Sequence, residues 1–235
     1  MNLRPSPGES GGVKLDRGRP VVGQIFDILR AEIIALQLEP GTPLSRIALA
    51  ERFNVSQTPI REALLRLDQH GLVEVFPQSR TLVSLIDVGQ ARESQFLRIA
   101  VETEVARTIA RDPARYDIAP AERLLEEMRS TWQRTVDPRA IRPPDQSFHA
   151  ALCAAVGQGR LWDLVVSRSG NVDRMRSVNV YPGKAAQIIQ EHTDLLDALK
   201  AGDEEKAKQT IRAHLSGTLR AVDQMKAAFP HYFAS

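Results

Sequence analysis

Five histidines occur in this 235-residue chain. Three of them, His149, His192 and His214, fall with Asp145 at spacings that suit a metal ion inside a helical bundle. Asp145 and His149 stand four apart in Asp145-Gln146-Ser147-Phe148-His149, so on a helix both side chains leave the same face. His192 and His214 lie symmetrically about position 203, inside the turn-like stretch Ala201-Gly202-Asp203. Residues symmetric about the turn of an antiparallel helical hairpin are level with each other. The pattern therefore draws three imidazoles and one carboxylate towards a point. Neutral imidazole nitrogen and carboxylate oxygen suit a divalent transition metal, zinc first, with nickel, manganese or iron also compatible. A five- or six-coordinate ion would keep positions open, and these suit a carboxylate of a small organic acid.

The chain that must position these groups has an ordinary globular composition, 43% hydrophobic and 26% charged, with a net charge of +2. Residues 1–86 hold ten Lys/Arg against nine Asp/Glu, and the remainder 21 against 20. No bulk basic field is present, so any DNA contact must rest on a few placed residues. Cys153 is the only cysteine, which excludes an intramolecular disulfide and thiolate metal chemistry; packing as a small apolar residue is its expected role. No signal peptide and no apolar run long enough to span a membrane is found, so the expected compartment is the cytoplasm.

Residues 1–20, rich in Gly, Pro, Ser and Arg, are expected to be a flexible tail. Helical periodicity then places Val22, Ile25, Phe26, Leu29, Ile33 and Leu36 on one face, ending at Glu39-Pro40-Gly41. A short helix over about 45–53 turns Ile47, Ala50 and Phe53 inward. After the turn Asn54-Val55-Ser56, a third helix carries the stripe Ile60, Ala63, Leu64 and Leu67 and closes at His70-Gly71. Two extended runs, 72–76 and 81–85, flank a hairpin tip at 77–80. The order spells a winged helix-turn-helix over 21–86. Helices at roughly 88–111, 119–135, 144–156, 159–178, 184–200 and 204–228 then make 87–228 an all-α bundle, followed by a tail at 229–235. The fold class is thus mainly α.

A major groove admits one helix, whose first residues reach the bases. On the third helix, Ser56, Gln57, Thr58 and Arg61 lie off the apolar stripe. Gln pairs with adenine, Arg with guanine or phosphate, and Thr with phosphate or a thymine methyl. Arg46 can reach the backbone and Arg80, at the wing tip, the minor groove. A lone exposed Arg is usually only solvated; the combination carries the inference.

The run Val55-Ser56-Gln57-Thr58-Pro59-Ile60-Arg61-Glu62-Ala63-Leu64, with Leu49-Ala50-Glu51-Arg52-Phe53 before it and His70-Gly71-Leu72-Val73 after it, resembles the DNA-binding domain of GntR-type bacterial regulators. The second half is similar to the FCD domain of the FadR subfamily, and together the resemblance spans about 21–226. That family commonly has Arg where this chain has Gln57, which implies an altered base or phosphate contact. The resemblance implies a homodimer on a pseudo-palindromic operator in double-stranded DNA, usually acting as a repressor. It also maps the metal set of FCD domains onto Asp145, His149, His192 and His214, and makes a long-chain acyl-CoA effector an unexpected ligand.

For the rest of an effector site, Arg98 matches an Arg common in the first helix of such domains, with an ion pair to Glu102 as the competing reading. Asn171 and Arg174 share the helix at 159–178, where Arg174 can pair with a carboxylate. Two further readings stay open: a purely structural ion in a domain that only dimerises, and a metal hydrolase in which Glu191 is the neighbour worth testing as a base.

Overall fold

A computed structural model describes residues 13–77 and 79–234. The chain divides into two compact units, one ending at Leu85 and the other beginning at Ile86.

In the first unit, α1 (Val21–Ile34), α2 (Arg46–Phe53) and α3 (Gln57–Gln69) pack their apolar stripes on one core. Ile25, Leu29, Ile33, Phe53, Ile60, Ala63, Leu64 and Leu67 are all buried. α1 stops five residues before the expected Glu39, because Leu36 turns left-handed at φ 59°. Ser45 caps α2 by accepting from the Ala48 amide at 3.3 Å. Asn54 leaves α2 in the left-handed region, a conformation its short polar side chain tolerates, and this sets the tight turn into α3. Leu49 and Phe53 form the buried face of α2; Ile47, expected to face inward, is 60% exposed.

β1 (Val73–Val75) and β2 (Thr81–Val83) pair antiparallel, with Glu74 opposite Leu82. The wing has a third member that periodicity did not mark. Gly41 and Leu44 donate to the carbonyls of Val83 and Thr81, each at 2.8 Å, and the Val83 amide donates to Thr42 at 2.9 Å. This ladder takes up the backbone groups on the free edge of β2. At the hairpin tip the Phe76 amide donates to Arg80 O at 2.9 Å; Gln78 lies outside the described residues.

Of the expected N-terminal tail, residues 1–12 lie outside the described residues, whereas 13–20 are held in place. The Val13 amide donates to Arg52 O at 3.1 Å. The buried Gln24 amide receives the Asp16 amide at 2.7 Å and donates to Asp16 O and Arg19 O.

The second unit is helical throughout: α4 (Val88–Arg111), α5 (Ala119–Thr135), α6 (Arg142–Ala155), α7 (Gly159–Arg168), α8 (Gly170–Val178), α9 (Lys184–Ala201), α10 (Glu204–Arg220) and α11 (Val222–Ala228). Asp87 caps α4, accepting from the Gln90 amide at 3.1 Å. α4 packs along α10, and α9 and α10 form the hairpin, turning at Gly202 with φ 72°. Met128, Phe148, Cys153, Leu199 and Ile211 lie in the core between them. Burial pushes the Cys153 thiol up to about 12, so it behaves as a small apolar residue.

Two expected helices are each divided. The 159–178 run breaks at Ser169-Gly170, where the Ser169 hydroxyl donates back to Val165 O and the Ser94 hydroxyl donates to Arg168 O at 2.6 Å. Hydroxyls that compete for helix carbonyls at a Ser-Gly pair are a recognised cause of such a bend. The 204–228 run breaks at Ala221. The C-terminal segment is no loose tail either. Pro230–Tyr232 forms a 3₁₀ turn, Tyr232 and Phe233 are buried, and the Ile86 amide donates to Tyr232 O at 2.8 Å. Two large aromatic rings supply the burial that composition alone did not reveal.

Candidate functional site

Asp145 and His149 on α6, His192 on α9 and His214 on α10 converge within the second unit. One ligand atom from each lies within 4.8 Å of the others. Asp145 Oδ1 is 3.3 Å from His192 Nε2 and 3.7 Å from His149 Nε2, and the two Nε2 atoms are 3.3 Å apart. The i,i+4 spacing on α6 and the hairpin symmetry of α9 and α10 are the local reasons for the convergence.

The other nitrogen of His192 and of His214 is hydrogen-bonded, and that of His149 lies against a carboxylate. His192 Nδ1 lies 2.7 Å from Ile188 O, His214 Nδ1 2.7 Å from Glu191 Oε2, and His149 Nδ1 2.5 Å from Glu102 Oε2. With Nδ1 carrying the proton towards these acceptors, each Nε2 presents a lone pair to the common centre. Orienting a ligand ring through its far nitrogen is the usual outer arrangement of metal-binding histidines. The Nε2 atoms of His192 and His149 have only each other as hydrogen-bond partners, and Asp145 Oδ1 and His214 Nε2 are buried with no hydrogen-bond partner among the described residues. A cation resolves both orphans and the lone-pair repulsion between the Nε2 atoms, so the donor set fits a divalent metal.

The electrostatics favour positive charge at this point: burial would lower His149, but Glu102 outweighs it and raises the imidazole above its ordinary value. Burial alone would raise the Asp145 carboxyl, but His149 and His192 outweigh it and hold the acid well below the usual range. Burial, then the neighbouring His192 and His149, hold His214 well below its ordinary value, so it stays neutral and able to ligate. Glu102, fully buried, would also be raised by burial; Arg98 and His149 reverse this and keep it ionised.

A small cavity, about 80 Å³, opens beside Asp145 and His214. Its wall also carries Arg139, Arg142, Arg176, Lys184 and Glu191. Arg142 bonds Ser177 Oγ and Asp173 O, and its Nη2 lies 3.5 Å from Asp173 Oδ1; Arg176 lies 3.8 Å from the same oxygen. A chain of hydrogen bonds links the loop before α9 to the ligand set. Tyr181 OH meets Gln187 Oε1 at 2.6 Å, Gln187 Nε2 donates to Glu191 Oε1 at 2.8 Å, and Glu191 receives His214.

The cavity wall differs from the sequence reading. Arg98 is bonded to Glu102 and stacked 5.4 Å over Trp162, so it supports His149 from behind. Asn171 Oδ1 accepts from Arg174 at 2.6 Å and from the Asp87 amide at 3.1 Å; Asn171 and Arg174 are buried and neither lines the cavity. Nothing in the local spacing of Arg139, Arg142, Arg176 and Lys184 separates them from surface cations.

In the first unit, Arg46, Ser56, Gln57, Thr58, Arg61 and Arg80 are all exposed. Ser56 stands at the N-cap of α3 without a side-chain cap bond, so its hydroxyl is not spent on the helix. Arg46, Gln57, Arg61 and Arg80 line one groove, about 630 Å³, with Ile47 and Phe76. Arg80 sits 5.2 Å over the Phe76 ring. Cationic groups, a helix N-terminus and a β-hairpin on one concave face are the parts of a winged DNA-binding surface.

Residues 22–83 match the bacterial regulatory proteins of the gntR family, and residues 93–217, more than half of the chain, match the FCD domain. The chain belongs to the GntR family, with an FCD domain. An uncharacterized HTH-type transcriptional regulator in an unstable DNA locus of Streptomyces ambofaciens is 32% identical over 93% of this chain and 92% of its own length. The HTH-type transcriptional repressor RspR of Escherichia coli K12 is 29% identical over 94% and 97%. The solved structure of E. coli McbR/YncC superposes with a TM-score of 0.73 at 23% identity, over 88% of this chain and 98% of that one. A putative GntR regulator from Rhodococcus sp. RHA1 gives 0.72 at the same identity and coverage. The chain is thus a DNA-binding transcriptional regulator of GntR/FCD type; the matching families and named relatives are regulators, not enzymes. No helix among the described residues is long and apolar enough to cross a membrane.

Proposed function

We propose that this GntR regulator is a cytoplasmic homodimeric repressor whose affinity for a pseudo-palindromic operator is set by a small organic acid bound at a metal ion in the FCD domain. One observation carries the reading. Three imidazole Nε2 atoms and the Asp145 carboxylate face a common centre, and a cation-lined cavity opens directly beside it. Asp145, His149, His192 and His214 would hold the ion, zinc foremost, and the bound ion would supply a Lewis-acidic coordination position for a carboxylate. Arg142 and Arg176 are positioned by Asp173 to complement such an anion.

Gln57, Thr58, Arg61 and Ser56 would read or grip DNA from α3, Arg46 from α2 and Arg80 from the wing. Relatives named as repressors, RspR and the "Probable D-xylose utilization operon transcriptional repressor" of Paenarthrobacter nicotinovorans, favour repression over activation. Dimerisation would use the apolar surface left on α4 and α7, where Phe96 is 76% exposed and Leu161 and Leu164 stand beside each other at i,i+3. α4 follows the wing directly in sequence and carries Glu102, the partner of His149, so it is the element through which the ion site would bias the DNA-binding unit.

The test is fluorescence anisotropy with a fragment of the protein's own promoter region, using metal-loaded and chelated protein, with and without carboxylates. The proposal expects tight salt-dependent binding that a carboxylate weakens only in metal-loaded protein. Binding insensitive to every acid, with or without metal, would leave the ion a structural pin.

A further inference from the structure

The cavity beside the ion site has more positive charge on its wall than one carboxylate can satisfy. Its two acidic groups are committed: Asp145 faces the histidine Nε2 atoms and Glu191 receives His214 Nδ1. Asp173, behind the wall, is shared by Arg142 and Arg176. Arg139 and Lys184 both line the cavity and have no carboxylate within ion-pair distance among the described residues; Lys184 Nζ lies 5.0 Å over the Tyr181 ring. Arg139 comes from the segment between α5 and α6, Lys184 from the first position of α9, so the surplus charge converges on the cavity from separate elements. Ile141, Val180 and Ile188 supply an apolar stretch of the same wall.

Resting on the reading that a carboxylate binds at the ion, we infer that the effector is a short dicarboxylic acid. One carboxylate takes the open metal position. The second is received by Lys184 and Arg139, backed by Arg142 and Arg176. The intervening carbons lie against Ile141, Val180 and Ile188. A monocarboxylate of equal length would place a methyl group against ammonium and guanidinium groups, gaining nothing there and desolvating them. The small cavity limits the spacer to a few carbons.

The experiment is calorimetric titration of zinc-loaded full-length protein with butyrate, succinate and glutarate, and with hexanoate as a longer monoacid. Succinate or glutarate is expected to bind at least about tenfold more tightly than butyrate, the loss of one charge-assisted contact. In the double variant Arg139→Gln/Lys184→Gln, that preference is expected to disappear through weaker succinate and glutarate binding, while zinc content by elemental analysis stays unchanged. Equal binding of succinate and butyrate, tighter hexanoate binding, or a preference that survives the double variant overturns the dicarboxylate assignment alone. If none of the acids binds zinc-loaded protein, the carboxylate-effector reading falls with it.

Discussion

Glu102 Oε2 lies 2.5 Å from His149 Nδ1, with both side chains buried, while Arg98 holds the other carboxylate oxygen. The first helix of the FCD domain therefore touches the candidate ion site through a residue outside the four clustered side chains. A carboxylate in this position orients the imidazole, raises the basicity of Nε2 and couples any strain at the ion to α4.

Glu102→Gln is expected to weaken metal binding about 10- to 100-fold, because the neutral amide no longer matches the Nδ1–H and polarises the ring less. Competition against a chromophoric chelator measures it. Arg98 is also left buried without its counter-ion, so the melting temperature should fall even in metal-free protein. Parental zinc affinity in the variant would remove Glu102 from the site.

Chelation of the parent protein should lower its melting temperature, and saturating metal should restore it. A ligand at a hundred times its Kd contributes about 2.7 kcal/mol, which calorimetry resolves. In His192→Ala the metal-dependent shift is expected to vanish. A shift that persists in this variant would mean that the ion sits elsewhere.

Arg61→Ala should weaken operator binding by about 1–3 kcal/mol, and Arg80→Ala should reduce the salt slope by about one unit with little change in sequence preference. Gln57→Arg is expected to move base preference towards guanine at one operator position, readable by selection from a randomised duplex pool. An unaltered selected motif would place Gln57 off the bases.

If the proposed dimer forms through the α4 and α7 surface, Phe96→Glu is expected to shift sedimentation from dimer to monomer without lowering metal content, since the exposed ring would be replaced by a charge that the contact desolvates. Retention of the dimer would move the interface to another surface.

Phe233→Ala should destabilise the second unit by about 3 kcal/mol, the order found for truncating a buried aromatic ring. Equilibrium denaturation checks it; a change below about 0.5 kcal/mol, the range of surface substitutions, would show that the C-terminal segment contributes little.

Local pattern alone determined the helix-turn-helix, the wing, the limits of α4 and α5, and the four residues that cluster as a candidate ion site. Period 3.6, an i,i+4 pair and symmetry about a Gly turn are properties of neighbouring residues, so they survive without coordinates. Tertiary structure decided everything that depends on a second chain segment. The backbone ladder from Gly41 to Leu44 on β2 and the burial of Tyr232 and Phe233 have no signature in their own stretch. The break at Ser169 is held by Ser94 from α4. Glu102 and Glu191 became partners of the histidines, and Arg139 and Lys184 parts of a cavity wall, only once the helices were packed. Hydrogen bonds and burial act over a few ångströms in space, and residues far apart in sequence satisfy them in ways that periodicity does not encode.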